Sequence, residues 1–148
     1  MKKLHLILKW TWYLQVKSGY KKIEYRANTP FWRRRILTDA AFLVYENIPT
    51  DKRIFGESVP KEFLKHSVAV FHKSYTKETM TFEIQKVMFT EVVTAAVPFA
   101  YDQVIEIHLG ARLTEADLNE VERLIANRPK LDPPAYRWRP LPENPQWR

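Results

Sequence analysis

In "KLHLILKW", Leu4, Leu6 and Leu8 alternate with His5, Ile7 and Lys9, a period of two that predicts a strand with one apolar and one mixed face. "TWYLQVKSG" changes period. Trp12, Tyr13 and Val16 recur at helical spacing, Thr11 is a candidate N-cap, and Gly19 suits the left-handed position that follows a helix. "KKIEYRAN" returns to alternation, with Ile23 and Tyr25 on one face and Lys22, Glu24 and Arg26 on the other. In "NTPFWRRRIL", Asn28 or Thr29 caps a second helix and Pro30 occupies its first turn. "AAFLVYENI" follows neither period, so it reads either as a strand or as the end of that helix followed by a strand. After the polar connector "PTDKRIFGESVPKEFLKH", the segments "SVAVFHKSY", "TMTFEIQKVMF" and "YDQVIEIHLG" predict three strands from their alternation and β-branched content. "TEADLNEVERLIANRP" predicts a helix capped by Thr114 and Asp117, with Leu118, Val121, Leu124 and Ile125 forming an apolar stripe suited to packing on a sheet.

Several strands with few short helices imply an α+β chain built on a small, mainly antiparallel barrel over residues 1–112, with a C-terminal helix over 113–128. Residues 129–148 hold six of the ten prolines, which excludes a helix or a central strand and predicts an extended tail. Tyr136, Trp138, Leu141 and Trp147 are costly to leave in water, so the tail is expected to lie in a groove of its own domain or of a neighbour. Self-association or partner binding through 129–148 is one expectation that follows.

Composition narrows the class. A chain of 148 residues with 45% hydrophobic and 28% charged residues suits one globular domain. The absence of cysteine excludes disulfides, thiolate nucleophiles and Cys-based zinc sites, and suits a reducing cytoplasm, the expected location. The N-terminal segment has only an eight-residue likeness to a signal peptide, because Lys9 and Trp10 interrupt the apolar run. No segment is long and apolar enough to span a bilayer, so no membrane partner is expected.

Charge is placed unevenly. Residues 1–53 carry twelve Lys and Arg against four Asp and Glu, net +8, while the remainder carries twelve against thirteen, net −1, giving the overall +7. With Trp10, Trp12, Tyr13, Tyr20, Tyr25, Phe31 and Trp32 interleaved among those cations, the N-terminal half has the composition of a phosphate-attracting surface with stacking platforms. The alternative is a solvated basic face beside core aromatics.

Gly19, Lys21, Glu24 and Arg26 in "SGYKKIEYR" follow the spacing G-x-K-x-x-E-x-R. This resembles the signature of the ASCH domain, a family related to the PUA barrel of RNA-modifying enzymes. The order of parts is similar too: a first strand, a short helix ending in the glycine, the motif strand, the aromatic-basic helix "TPFWRRR", and strands such as "MTFEIQKV" and "VIEIHLG". The resemblance covers roughly residues 3–112. It implies a PUA-like barrel with a basic cleft serving RNA, nucleoside or nucleotide recognition. One branch of the family resembles amidohydrolases acting on acetylated cytidine, and ribonuclease activity is associated with others. The amidohydrolase branch has a lysine where Lys21 stands, but a threonine nucleophile where this chain has Glu24. A carboxylate cannot replace a hydroxyl nucleophile without changing the mechanism, but it can act as a general base on water.

Taken as an enzyme, the chain assigns Lys21, Glu24 and Arg26 to catalysis. Lys21 polarises or donates a proton, Glu24 is the general base, and Arg26 holds an anion or a carboxylate. Lys9, Trp10, Tyr20, Lys22, Trp32, Arg33, Arg34, His72 and Tyr75 are the candidate RNA or ligand contacts. Each has a plainer role available: a surface ion pair for Lys21 with Glu24, a helix cap for Gly19, a core ring for Trp32, a half-exposed strand residue for His72. Because Arg33, Arg34 and Arg35 point in successive directions around a helix, at most two meet one ligand. His5, His66, His72 and His108 show no paired-ligand spacing, so no metal and no cofactor are expected.

Overall fold

The computed structural model describes residues 3–53, 55–91 and 103–127. The proline-rich tail expected to occupy a groove lies outside the described residues. In chain order the elements are β1 (Leu4–Leu8), α1 (Trp10–Lys17), β2 (Ile23–Ala27), α2 (Pro30–Ile36), α3 (Asp39–Glu46), β3 (Val68–Lys73), β4 (Thr79–Glu91), β5 (Gln103–Arg112) and α4 (Glu115–Ala126). Single 3-10 turns occur at Thr50–Lys52 and Lys61–Phe63. The class is α+β, and the five strands form one mixed sheet in the order β1-β3-β4-β5-β2.

β1 runs parallel to β3, with Leu4 opposite Ala69 and Leu8 opposite Lys73. A parallel neighbour requires a long crossover, and the chain supplies one through α1, β2, α2 and α3 before β3 begins. β3 and β4 are antiparallel, with Val68 opposite Glu83 and His72 opposite Thr79.

The chain packs as two compact units. One comprises Met1–Glu24, His66–Lys86 and Ile107–Lys130. Its interior takes Leu4, Leu6 and Leu8 from β1, all 5% exposed or less, while His5 and Ile7 face out, as alternation predicts. Phe71 and Phe82 meet edge to face at 5.9 Å within it. The other unit takes its described residues from Tyr25–Lys65 and Val87–Glu106. There Tyr45, 2% exposed, meets Phe89 edge to face at 4.9 Å.

β4 changes phase along its length. Met80, Phe82 and Ile84 are buried on the even positions, then Val87 and Phe89 on the odd ones, with Gln85 exposed and Lys86 half-buried between them. A one-residue slip of this kind turns the opposite face of a strand inward, as a bulge does.

Three local expectations change. Helix α1 starts at Trp10, so Lys9 is the cap residue and makes no side-chain cap bond. β1 holds its backbone to Leu8, whose carbonyl accepts from the Ser74 amide at 2.7 Å. That leaves one residue to turn the chain, and the first helical bond, Tyr13 N–H to the Lys9 carbonyl, closes before Thr11 can act as a cap. "AAFLVYENI" is helix α3, capped by Thr38. Ala41 and Tyr45 are buried four residues apart, while Leu43 and Val44 face solvent and blur the period. In α4, Thr114 and Asp117 form the expected reciprocal cap, the Thr114 amide donating to Asp117 at 2.8 Å. Leu124 of the expected packing stripe is 57% exposed.

Candidate functional site

In the first unit, Gly19 has φ +80° and ends α1, its amide donating to the Val16 carbonyl. A methyl group added there would meet nothing within 4 Å, so the position calls for glycine through its backbone angle and not through crowding. The turn brings Lys21 back over the helix, where its amide donates to the Gln15 carbonyl. The Lys21 ammonium then lies 2.9 Å from Glu24 Oε1 and 4.8 Å from the centre of the Trp12 ring.

The alternation of β2 suggests that Glu24 sits on a charged face. Instead Glu24 is 3% exposed, while Ile23 and Tyr25 are half-buried. Withdrawing a carboxylate from water costs several kcal/mol unless a cation and hydrogen bonds replace the lost solvent. Lys21, its side chain only 15% exposed, is the partner that makes the burial tolerable. A shielded ion pair is a poor source of stability, so β2 departs from its outward-charge pattern at Glu24 without a large stabilising gain.

The remaining candidates of this unit lie at its surface. Trp10 is 61% exposed and carries the Lys73 ammonium 4.5 Å above its ring. Tyr20 and Tyr75 are 84% and 93% exposed, and Lys9 and Lys22 face solvent. Tyr75 follows Ser74, whose φ of 49° sets the β3–β4 turn. His72 meets His5, Nε2 to Nδ1, at 2.9 Å. Partial burial of the His5 ring lowers its pKa, and the neighbouring His72 and Lys3 lower it further.

In the second unit, Arg26 donates to the Tyr25 carbonyl and lies over Trp32, 5.1 Å from the ring centre. Helix α2 opens with Thr29, which accepts from the Trp32 amide, and Pro30 follows at its first position. That start fixes the direction of the three arginines. Arg33 turns inward and is 5% exposed. Its Nε donates to Glu46 at 2.6 Å, and its Nη1 donates to the carbonyl and the side-chain oxygen of Asn28 at 3.0 and 2.9 Å. Arg53 approaches the same carboxylate at 3.9 Å and stacks on Tyr45 at 4.4 Å.

Arg34 and Arg35 turn outward. Arg34 lies 4.6 Å from the centre of Phe42, and Arg35 lies 3.4 Å from that of Phe31, itself 54% exposed. Among the described residues, neither arginine is paired with a carboxylate. Arg33, singled out from the sequence as a ligand contact, is therefore held in the interior by Glu46 and Asn28, and Arg35, which was not singled out, is exposed, with one Nη1 N–H donating to the Phe31 carbonyl at 3.0 Å. The i, i+4 spacing of Phe31 and Arg35 is the signal that could have revealed it. Glu46 and Arg53, distant in sequence from Arg33, left no comparable trace.

Among the described residues no helix is long and apolar enough to cross a membrane, and no cluster of three or more ligating side chains could hold a metal ion. Comparison with known proteins gives no matching family model, no matching curated protein and no matching solved structure.

The arginines of α2 predict a separable stability test. Arg33→Ala leaves Glu46 with its nearest cation removed, and should lower unfolding free energy by about 2 kcal/mol or more. Arg34→Ala should change it by less than about 0.5 kcal/mol. Urea denaturation of both variants checks the assignment; equal effects would contradict it.

Proposed function

We propose that this chain binds single-stranded RNA as an ASCH protein of the PUA-like kind, with the outward face of α2 supplying phosphate contacts. The observation that carries the reading is the pair of exposed guanidiniums, Arg34 on Phe42 and Arg35 on Phe31. An aromatic ring beneath a guanidinium holds the fork flat; Arg35 also donates one Nη1 N–H to the Phe31 carbonyl at 3.0 Å, which fixes its fork while its other donors remain for phosphate. Phe31 offers additional stacking surface, and Arg26, half-buried and donating to the Tyr25 carbonyl, lies over Trp32 in this unit. The +8 excess over residues 1–53 attracts the polyanion in the first place.

Affinity for a short single-stranded RNA should fall steeply with salt. Replacing both Arg34 and Arg35 by Ala should reduce the slope of log affinity against log salt by roughly 1.4, since each phosphate of a single strand that a cation neutralises adds about 0.7 to it. Fluorescence anisotropy across a salt series provides the measurement. Binding absent at low salt, or a slope unchanged in the double variant, would overturn the reading.

A second reading, hydrolysis of an acylated nucleoside, is favoured by one observation: the shielded contact between Lys21 and Glu24 at 2.9 Å. In this chemistry Lys21 polarises the acyl carbonyl, Glu24 takes a proton from water, and the water oxygen bonds to the acyl carbon as the nucleoside nitrogen leaves with a proton. Glu24→Gln should then lower turnover of acetylated cytidine by about 100-fold or more while nucleoside binding survives. Chromatographic assay of the wild type and the variant decides. No turnover by the wild type, or equal turnover by both, removes this reading.

A further inference from the structure

The outward face of β1 and β3 carries a pair of imidazoles; His72 is a candidate ligand contact from the sequence, but neither proposed function uses the pair. His5 projects from β1 opposite Val70, and His72 lies two residues farther along β3. His5 Nδ1 and His72 Nε2 are 2.9 Å apart, with ring centres separated by 5.1 Å and planes inclined by 40°. At that distance one proton lies between the two nitrogens, supplied by whichever neutral ring carries its N–H on that side.

Neutral imidazole exists in two tautomers of similar energy, so both protons can reside on the far nitrogens, His5 Nε2 and His72 Nδ1. Two lone pairs then occupy the gap. Nitrogens each about 2.0–2.1 Å from a common ion lie about 2.9 Å apart when they subtend a right angle, and about 3.3 Å apart at a tetrahedral angle. The nitrogen separation equals that of adjacent positions of a tetragonal ion, whereas the 5.1 Å between ring centres is that of two rings hydrogen-bonded end to end, so a ring must turn before both lone pairs meet one ion. His5 is exposed, so its ring has room to turn until the two lone pairs converge.

We propose that His5 and His72 form a bidentate, solvent-open site for a divalent ion that prefers imidazole and tetragonal geometry, Cu(II) above all and Ni(II) after it. The ordering follows the intrinsic affinities of these ions for nitrogen ligands. Calcium and magnesium are disfavoured because the pair presents no oxygen donor. Zinc requires the nitrogens to open toward the tetrahedral separation. With two protein ligands, and no third ligating side chain clustered among the described residues, the remaining positions belong to water and binding is reversible. Lys3 beside His5 weakens the attraction for a cation, whereas the Lys73 ammonium is turned toward Trp10 and Glu78, 4.5 Å from the ring centre and 3.8 Å from the carboxylate. Because β1 stands at one end of the sheet order and pairs with β3, a bound ion ties the end strand to its neighbour. This inference does not depend on the RNA reading.

The test uses the full chain, metal-free, at pH 7.5, with Cu(II) delivered from a glycine buffer. The expected result is one Cu(II) per chain, nitrogen hyperfine structure from two imidazoles in the paramagnetic resonance spectrum, and a raised melting temperature. His5→Gln and His72→Gln should each weaken binding by about tenfold or more and abolish the two-nitrogen signature, while His66→Gln and His108→Gln leave both unchanged. Because His5 is exposed, His5→Gln should fold, and circular dichroism verifies this before titration. Wild-type affinity in either the His5 or the His72 variant, a spectrum lacking two nitrogens, or no Cu(II) bound beyond the glycine competition would each overturn the proposal.

Discussion

A guanidinium keeps its charge at every accessible pH, so an arginine enters a protein interior only where acceptors are already in place. Arg33 meets this constraint with Glu46 from α3 and two oxygens of Asn28 from the segment before α2. The arrangement determines more than its own geometry. By drawing one face of a seven-residue helix inward, it sends the next two arginines outward onto Phe42 and Phe31. Asn28 is held in turn by donating to the Tyr45 hydroxyl at 3.2 Å, and Tyr45 packs on Phe89. The cationic surface of this unit is thus a consequence of how its interior satisfies a single charge.

The first unit resolves a similar problem at smaller scale. Lys21 and Glu24 exchange solvent for one another at 2.9 Å, with Trp12 beside the ammonium. Pairing neutralises the two groups toward long-range attraction, so this site contributes little to drawing in a polyanion. What it offers is a fixed donor and a fixed acceptor in a shielded place, suited to a compact polar ligand. The outward arginines of α2 have the complementary character, exposed and not paired with a carboxylate among the described residues. The two readings of function follow from that difference in solvation.

Much of the element plan was legible because the strands keep a period of two and the helices announce their ends. Gly19 after α1, Thr29 with Pro30 before α2, and Thr114 with Asp117 before α4 are local signals that need no tertiary information. What was not legible depends on partners far away in sequence. Glu24 reads as an outward charge until its lysine turns back across Gly19. Arg33, Arg34 and Arg35 are alike in sequence and become different only when Glu46, thirteen residues after Arg33, claims the first of them. Leu43 and Val44 on the solvent side of α3 masked its helical period. The pairing of His5 with His72 depends on a parallel register that no local pattern encodes.

The central claim is that α2 divides its arginines between an inward structural one and two outward ligand-binding ones. Nuclear magnetic resonance of the arginine Nε–H groups tests this directly during titration with a short single-stranded RNA. The account predicts that the Arg33 signal exchanges slowly with solvent and keeps its position, while the Arg34 and Arg35 signals shift progressively as RNA is added. A shift confined to Arg33, or no shift at Arg34 and Arg35 at saturating RNA, would contradict it.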